Sequence, residues 1–191
     1  MSEKIHKIIV LIPFRNVRAF IVDCLNSVFA QLYPNYEVYL LDDASDDGTL
    51  QEIDQAFSNV HIIINERRLW AMENIYRPLK NLPFDDEDII VVLDGDDALF
   101  GEYAFQMINA TYNDEKVLVT YGQYITNYGM PGNFAPYTEA EFKNIRNARW
   151  KAPHLRTFKY KLFREFMIID PMVKSLKYDD GSFLNLLRIW R

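Results

Sequence analysis

The feature that most constrains this chain is an alternation between two hydrophobic periods. Short apolar runs at Lys7–Ile12, Tyr36–Leu41, Val60–Ile64 and Ile89–Leu93 are separated by stretches in which apolar residues return every three or four positions. A strand that is apolar on both faces must be covered on both faces, as happens in parallel sheets packed between helices. Helices are expected at Arg18–Ala30, Thr49–Phe57, Ala71–Lys80 and Tyr103–Tyr112, with apolar sets such as Leu50, Ile53, Phe57 and Met72, Ile75, Leu79. The order predicts βαβ units and an α/β domain with a mostly parallel central sheet flanked by helices. A fifth strand is expected at Lys116–Ile125. Gly129, Pro131, Gly132 and Pro136 then mark a loop, and helical patterns return from Thr138 to an amphipathic segment at Ser182–Trp190.

Composition narrows the class of protein. At 191 residues the chain fits one domain, 1–191. A formal charge of −6, with no stripe of Lys or Arg, argues against a nucleic-acid partner. No apolar run approaches the roughly 18 residues of a membrane span, and the N-terminus lacks the apolar core of a signal peptide. A cytoplasmic setting is expected, with room for the chain to be the catalytic portion of a larger protein. The single cysteine, Cys24, lies on the apolar face Phe20, Ile21, Cys24, Leu25, Val28 and is expected in the core.

Ligands of open parallel sheets bind beyond the carboxyl ends of the strands, so the residues after each run matter most. Asp94-Gly95-Asp96-Asp97 places three carboxylates within four residues at such an end. Each close pair repels by about 1–4 kcal/mol, depending on the effective dielectric, and a divalent cation would remove that cost. The bland alternative is a solvated acidic turn. Asp42-Asp43-Ala44-Ser45-Asp46-Asp47-Gly48-Thr49 also ends a run, and its spacing from Asp43 to Asp54 approaches a calcium loop. That loop needs a helix entering it, whereas Tyr36–Leu41 reads as a strand; Asp46 or Asp47 is expected to cap the next helix.

In this order the motifs resemble those of family 2 glycosyltransferases. Val10-Leu11-Ile12-Pro13-Phe14-Arg15-Asn16 is similar to that family's first strand and loop, and Ser27-Val28, Gln31 and Tyr33-Pro34-Asn35-Tyr36-Glu37 follow as they do there. Asp42–Thr49 resembles its nucleotide-recognition turn, and Leu93-Asp94-Gly95-Asp96-Asp97 its DxD motif. The resemblance implies a single Rossmann-like domain of GT-A type, divided into a nucleotide-sugar-binding half, 1–97, and an acceptor-side half, 98–191. It implies an inverting transferase in carbohydrate biosynthesis, moving a sugar from a nucleoside-diphosphate-sugar to a saccharide, lipid or protein acceptor with Mn²⁺ or Mg²⁺.

By the same resemblance Asp43 accepts from the nucleobase, and Pro13 and Arg15 line the base pocket. Asp94 approaches the ribose or the metal, and Asp96 ligates the cation on the diphosphate. Arg68 and Asn74 occupy places near the nucleotide, while Trp70 stands where a small residue, often Gly, is expected. Asp180, in Tyr178-Asp179-Asp180-Gly181-Ser182, corresponds to the catalytic base; Asp179 reads as a helix N-terminal acid. His154 either reaches the metal or phosphates or is structural. Two rivals remain: a haloacid-dehalogenase-like phosphatase, because Ile89–Asp96 resembles its nucleophile strand, and a module that binds nucleotide-sugar without turning it over.

Overall fold

The computed structural model describes residues 4–57, 60–132 and 135–184. At its centre lies β1 (Ile8–Phe14), with all seven residues buried. It pairs in parallel with β2 (Tyr36–Asp42) on one side and β4 (Ile89–Val92) on the other, aligning Ile8 with Tyr36 and with Ile89. Beyond β2 lies the parallel β3 (His61–Ile64). Because successive side chains point to opposite faces, β1 feeds two cores. Ile8, Val10, Ile12 and Phe14 pack with α1 (Ile21–Phe29) and α4 (Ala104–Tyr112), and Ile53 of α2 (Thr49–Ala56) joins the same cluster. Ile9 and Leu11 pack on the other face with Leu79 of α3 (Trp70–Asn81) and Tyr160 of α6 (Tyr160–Ile169). Cys24 is in the first of these cores, as expected.

The far side of the sheet departs from the sequence expectation. The short β5 (Val119–Tyr121) falls within the expected fifth strand, but β6 (Arg156–Lys159) occupies a stretch of helical patterning, antiparallel to β4, and β5 pairs antiparallel with it. The order is β3-β2-β1-β4-β6-β5. No apolar run announces β6 because its buried positions are polar. Thr157 is 2 % exposed and shares hydrogen bonds with Tyr112 Oη (2.8 Å) and Thr120 Oγ1 (2.6 Å). Lys159 is 1 % exposed and reaches Glu87 at 3.1 Å.

The stretch beginning at Gly129 is a loop, as expected, and its described part closes as a tight turn: Thr126 N–H donates to Met130 (2.9 Å), Gly132 N–H donates to Tyr124 (2.7 Å), and Gly129 takes φ +76°. Downstream, α5 (Glu139–Lys143) opens with a Thr138–Glu141 capping box. The segment expected to open a helix at Ser182 instead turns back on itself, since Lys177 pairs antiparallel with Phe183 and Leu184 N–H donates to Leu176 (2.8 Å). The rest of the Ser182–Trp190 expectation, from Asn185 on, lies outside the described residues. Among the described residues no helix is long and apolar enough to cross a membrane.

Candidate functional site

The carboxyl ends of β1, β2 and β3 are laced together. Arg15, just past β1, donates from Nη1 to the carbonyls of Asp43 (2.6 Å) and Ala44, and its Nη2 lies 3.8 Å from Asp46. Asn16 exchanges two hydrogen bonds with Asp46, at 2.8 and 2.9 Å. Asn16 and Ala44 both hold positive φ, 54° and 60°, a conformation that costs a non-glycine residue energy and is kept here by these bonds. The N-cap of α2 is Gly48, without a side-chain cap; the expected acid, Asp47, sits one residue earlier and accepts from Thr49 N–H (2.9 Å), the first amide of the helix. A strand, not a helix, enters this turn, which removes the calcium-loop alternative.

Asp43 is 5 % exposed, and its carboxylate receives two backbone N–H groups at the start of α3, Leu69 on Oδ1 and Trp70 on Oδ2 (3.0 Å). Arg68 sits against the same carboxylate, Nε 3.9 Å from Oδ2. Asn74 is buried; its amide donates to Leu41 O (2.8 Å) and accepts from Asn65 (2.9 Å), and Asn65 in turn holds Asp42 O (2.7 Å). Both polar ends of Asn74 are thus engaged with the protein. Pro13 is buried within β1, its carbonyl accepting from Gly95 N–H (3.1 Å).

That bond seats the acidic turn after β4 against β1. Gly95 is required there, because a Cβ would come within 2.6 Å of Phe14 Cβ. The turn meets the start of β6, whose antiparallel direction delivers its first residues to the carboxyl end of β4. His154 Nε2 lies 3.6 Å from Asp94 Oδ2 and Nδ1 lies 3.5 Å from Asp97 Oδ2, while Arg156 Nη2 lies 3.6 Å from Asp94 Oδ2. Asp94, Asp97 and His154 each offer a ligand atom, all within 4.8 Å of one another. Buried His154 Nδ1 and Arg156 Nε have no hydrogen-bond partner among the described residues. Two carboxylate oxygens and an imidazole nitrogen left without a hydrogen bond suit a divalent metal of the Mn²⁺ or Zn²⁺ kind, with Mg²⁺ less favoured by the nitrogen. Asp96 is exposed and stands outside this group.

Electrostatics agree with the crowding. Burial pushes the Asp97 carboxyl above its ordinary range; His154 opposes this, and the negative charges of Asp96 and Asp94 add to it. Beneath the turn, burial first, then Asp97, Asp96 and Asp94, raise the Cys24 thiol to about 12, so it is no nucleophile. Asp180 lies in the exposed turn of the Tyr178–Ser182 segment. Its Oδ1 accepts from the Ser182 hydroxyl (2.6 Å) and amide (2.9 Å), which hold its carboxyl below the usual range. The approach of Arg156 to Asp94 was not legible in the sequence; the pairing of β6 with β4 creates it, and β6 carries no apolar signal.

A model described as "Glycosyl transferase family 2" matches residues 9–170. The putative teichuronic acid biosynthesis glycosyltransferase TuaG of Bacillus subtilis (strain 168) is 34% identical over 65 residues, 32% of this chain and 26% of that protein. Among solved structures, S. aureus TarS 1–349 in complex with UDP-GlcNAc superposes with a TM-score of 0.63 at 18% identity, covering 85% of this chain and 48% of that one. The mannosyltransferase PcManGT from Pyrobaculum calidifontis in complex with GDP-Man and Mn²⁺ gives 0.54 at 17% identity, covering 84% of this chain and 46% of that one. The chain therefore spans about half the length of these two structures. The architecture shared with them is the GT-A fold.

Proposed function

The chain belongs to glycosyl transferase family 2, and from that premise we propose that it transfers a glycosyl group from a nucleoside-diphosphate-sugar to an acceptor hydroxyl, aided by a divalent cation. The observation that carries this reading is the convergence of Asp94, Asp97 and His154 at the carboxyl end of β4, beside the laced loops of β1 and β2. Nucleotide complexes are described for TarS, with UDP-GlcNAc, and for PcManGT, with GDP-Man and Mn²⁺; a donor of that class is proposed here.

In this reading Pro13, Arg15 and Asp43 frame the base, and Arg68 adds positive charge at the nucleotide. Asn74 acts as a positioning residue, bracing the end of β2 through Leu41 and Asn65. Asp94, Asp97 and His154, with Asp96 exposed beside them, would hold the cation, which would supply charge stabilisation for the leaving diphosphate. Arg156, next to Asp94, adds a fixed positive charge. As the acceptor oxygen forms its bond to the anomeric carbon, the bond from that carbon to the diphosphate breaks, and its electron pair leaves with the diphosphate. The acceptor proton passes to Asp180. Ser182 occupies Oδ1 and keeps the group ionised, which leaves Oδ2 as the oxygen assigned to the proton. Attack opposite the leaving group inverts the anomeric centre. The 98–191 half thus supplies the base and also reaches into the donor half through His154 and Arg156.

Calorimetry with UDP and GDP, with Mn²⁺ or with chelator, followed by assay of nucleoside diphosphate release from the matching sugar donors, tests the proposal. Cation-dependent binding with release on addition of acceptor is expected. Saturable binding without release would identify a binding module, and absence of binding to either nucleotide would remove the donor reading.

A further inference from the structure

Trp70 is the first residue of α3 and holds φ +66°, a left-handed conformation that glycine adopts freely and an indole-bearing residue does not. The backbone is kept there from outside the helix, because Asp43 accepts Trp70 N–H at 3.0 Å and also takes Leu69 N–H. A strained residue persists where its surroundings over-determine it, and such positions gather at ligand sites. The side chain is fixed as well: the Arg68 guanidinium carbon lies 3.4 Å from the centre of the Trp70 ring, close enough for a stacked cation–π pair. The residue nevertheless remains 38% exposed.

A flat ring, locked in place and partly open, therefore stands beside a carboxylate assigned to the nucleobase. That carboxylate already holds a backbone N–H on each oxygen, so its capacity to bind a base through hydrogen bonds is reduced. Stacking needs no donor or acceptor and tolerates any base. Resting on the donor reading above, we propose that Trp70 is a base-stacking residue of the nucleotide site. The nucleobase lies on the indole face opposite Arg68, giving a three-layer stack of guanidinium, indole and base, with Asp43 at the edge of the base.

The test compares wild type with Trp70→Gly and Trp70→Phe in the full chain with Mn²⁺, titrating UDP, GDP and inorganic pyrophosphate. Glycine suits the backbone at this position, so Trp70→Gly retains the fold. Its affinity for UDP or GDP should fall about tenfold, the scale of losing one stacking ring, with pyrophosphate affinity unchanged. Trp70→Phe should keep most of the nucleotide affinity. Unchanged nucleotide binding by Trp70→Gly, a parallel loss for pyrophosphate, or a loss in Trp70→Phe as large as in Trp70→Gly would each overturn the assignment. Wild type that binds neither UDP nor GDP would overturn the donor reading together with it, whereas the other contrary outcomes leave that reading standing.

Discussion

Asp96 and Asp97 are adjacent in sequence yet differ in surroundings. Asp96 is exposed, whereas Asp97 is partly buried over Cys24 and faces His154 at 3.5 Å. Three negative charges in one turn favour any cation that bridges them, and the carboxylate paying most for burial gains most from that cation. Asp97→Asn and His154→Ala should therefore weaken Mn²⁺ binding in the presence of UDP by at least about tenfold, the loss seen even for groups outside a ligand shell. Asp96→Asn should cost less. Manganese titration followed by electron paramagnetic resonance measures all three. A larger loss in Asp96→Asn than in Asp97→Asn would return the ligand role to Asp96, where the family resemblance places it.

At the scale of elements, α3 begins without a capping side chain at its own N-cap, Leu69; the cap comes from Asp43 at the end of β2. One carboxylate thus joins a strand end to a helix start, satisfying two donors that a helix terminus leaves open and complementing its dipole. Asp43→Ala strands both donors and should lower stability by about 1–3 kcal/mol in the absence of nucleotide. Urea unfolding of the ligand-free variant reads this directly. Unchanged stability together with lost nucleotide affinity would make Asp43 a ligand and nothing more.

Across the whole molecule, burial is graded from the centre of the sheet to its edge. Every residue of β1 and β4 is buried, and β1 is paired on both sides; β5 has three residues, none of them buried. Amides in such a centre exchange only on global unfolding, whereas an edge strand opens locally. Native-state hydrogen exchange should therefore find β1 and β4 slowest and β5 faster by several powers of ten, as a free-energy gap of a few kcal/mol requires. Equal protection in β5 and β1 would mean that the antiparallel edge is as firmly held as the parallel core.

The amino-acid sequence by itself determined the parallel half of this protein. β1, β2, β3 and β4, the helices between them and the acidic turn all follow from apolar runs and periodic faces, because a strand covered by helices must be apolar wherever it is buried. An acid meeting the first amide of α2 and the core position of Cys24 were legible too, the one from its place just ahead of the helix and the other from the apolar face of α1. The fifth strand was also legible, β5 falling within Lys116–Ile125, but tertiary structure alone decided β6 and the antiparallel pairing. Thr157 and Lys159 are buried because Tyr112, Thr120 and Glu87, 37 to 72 residues distant, satisfy their polar atoms. No local pattern encodes such a pairing. By running antiparallel to β4, that strand brings His154 and Arg156 to the carboxylates of Asp94 and Asp97, so the grouping at the candidate site depended on a chain reversal that hydrophobic periodicity does not record.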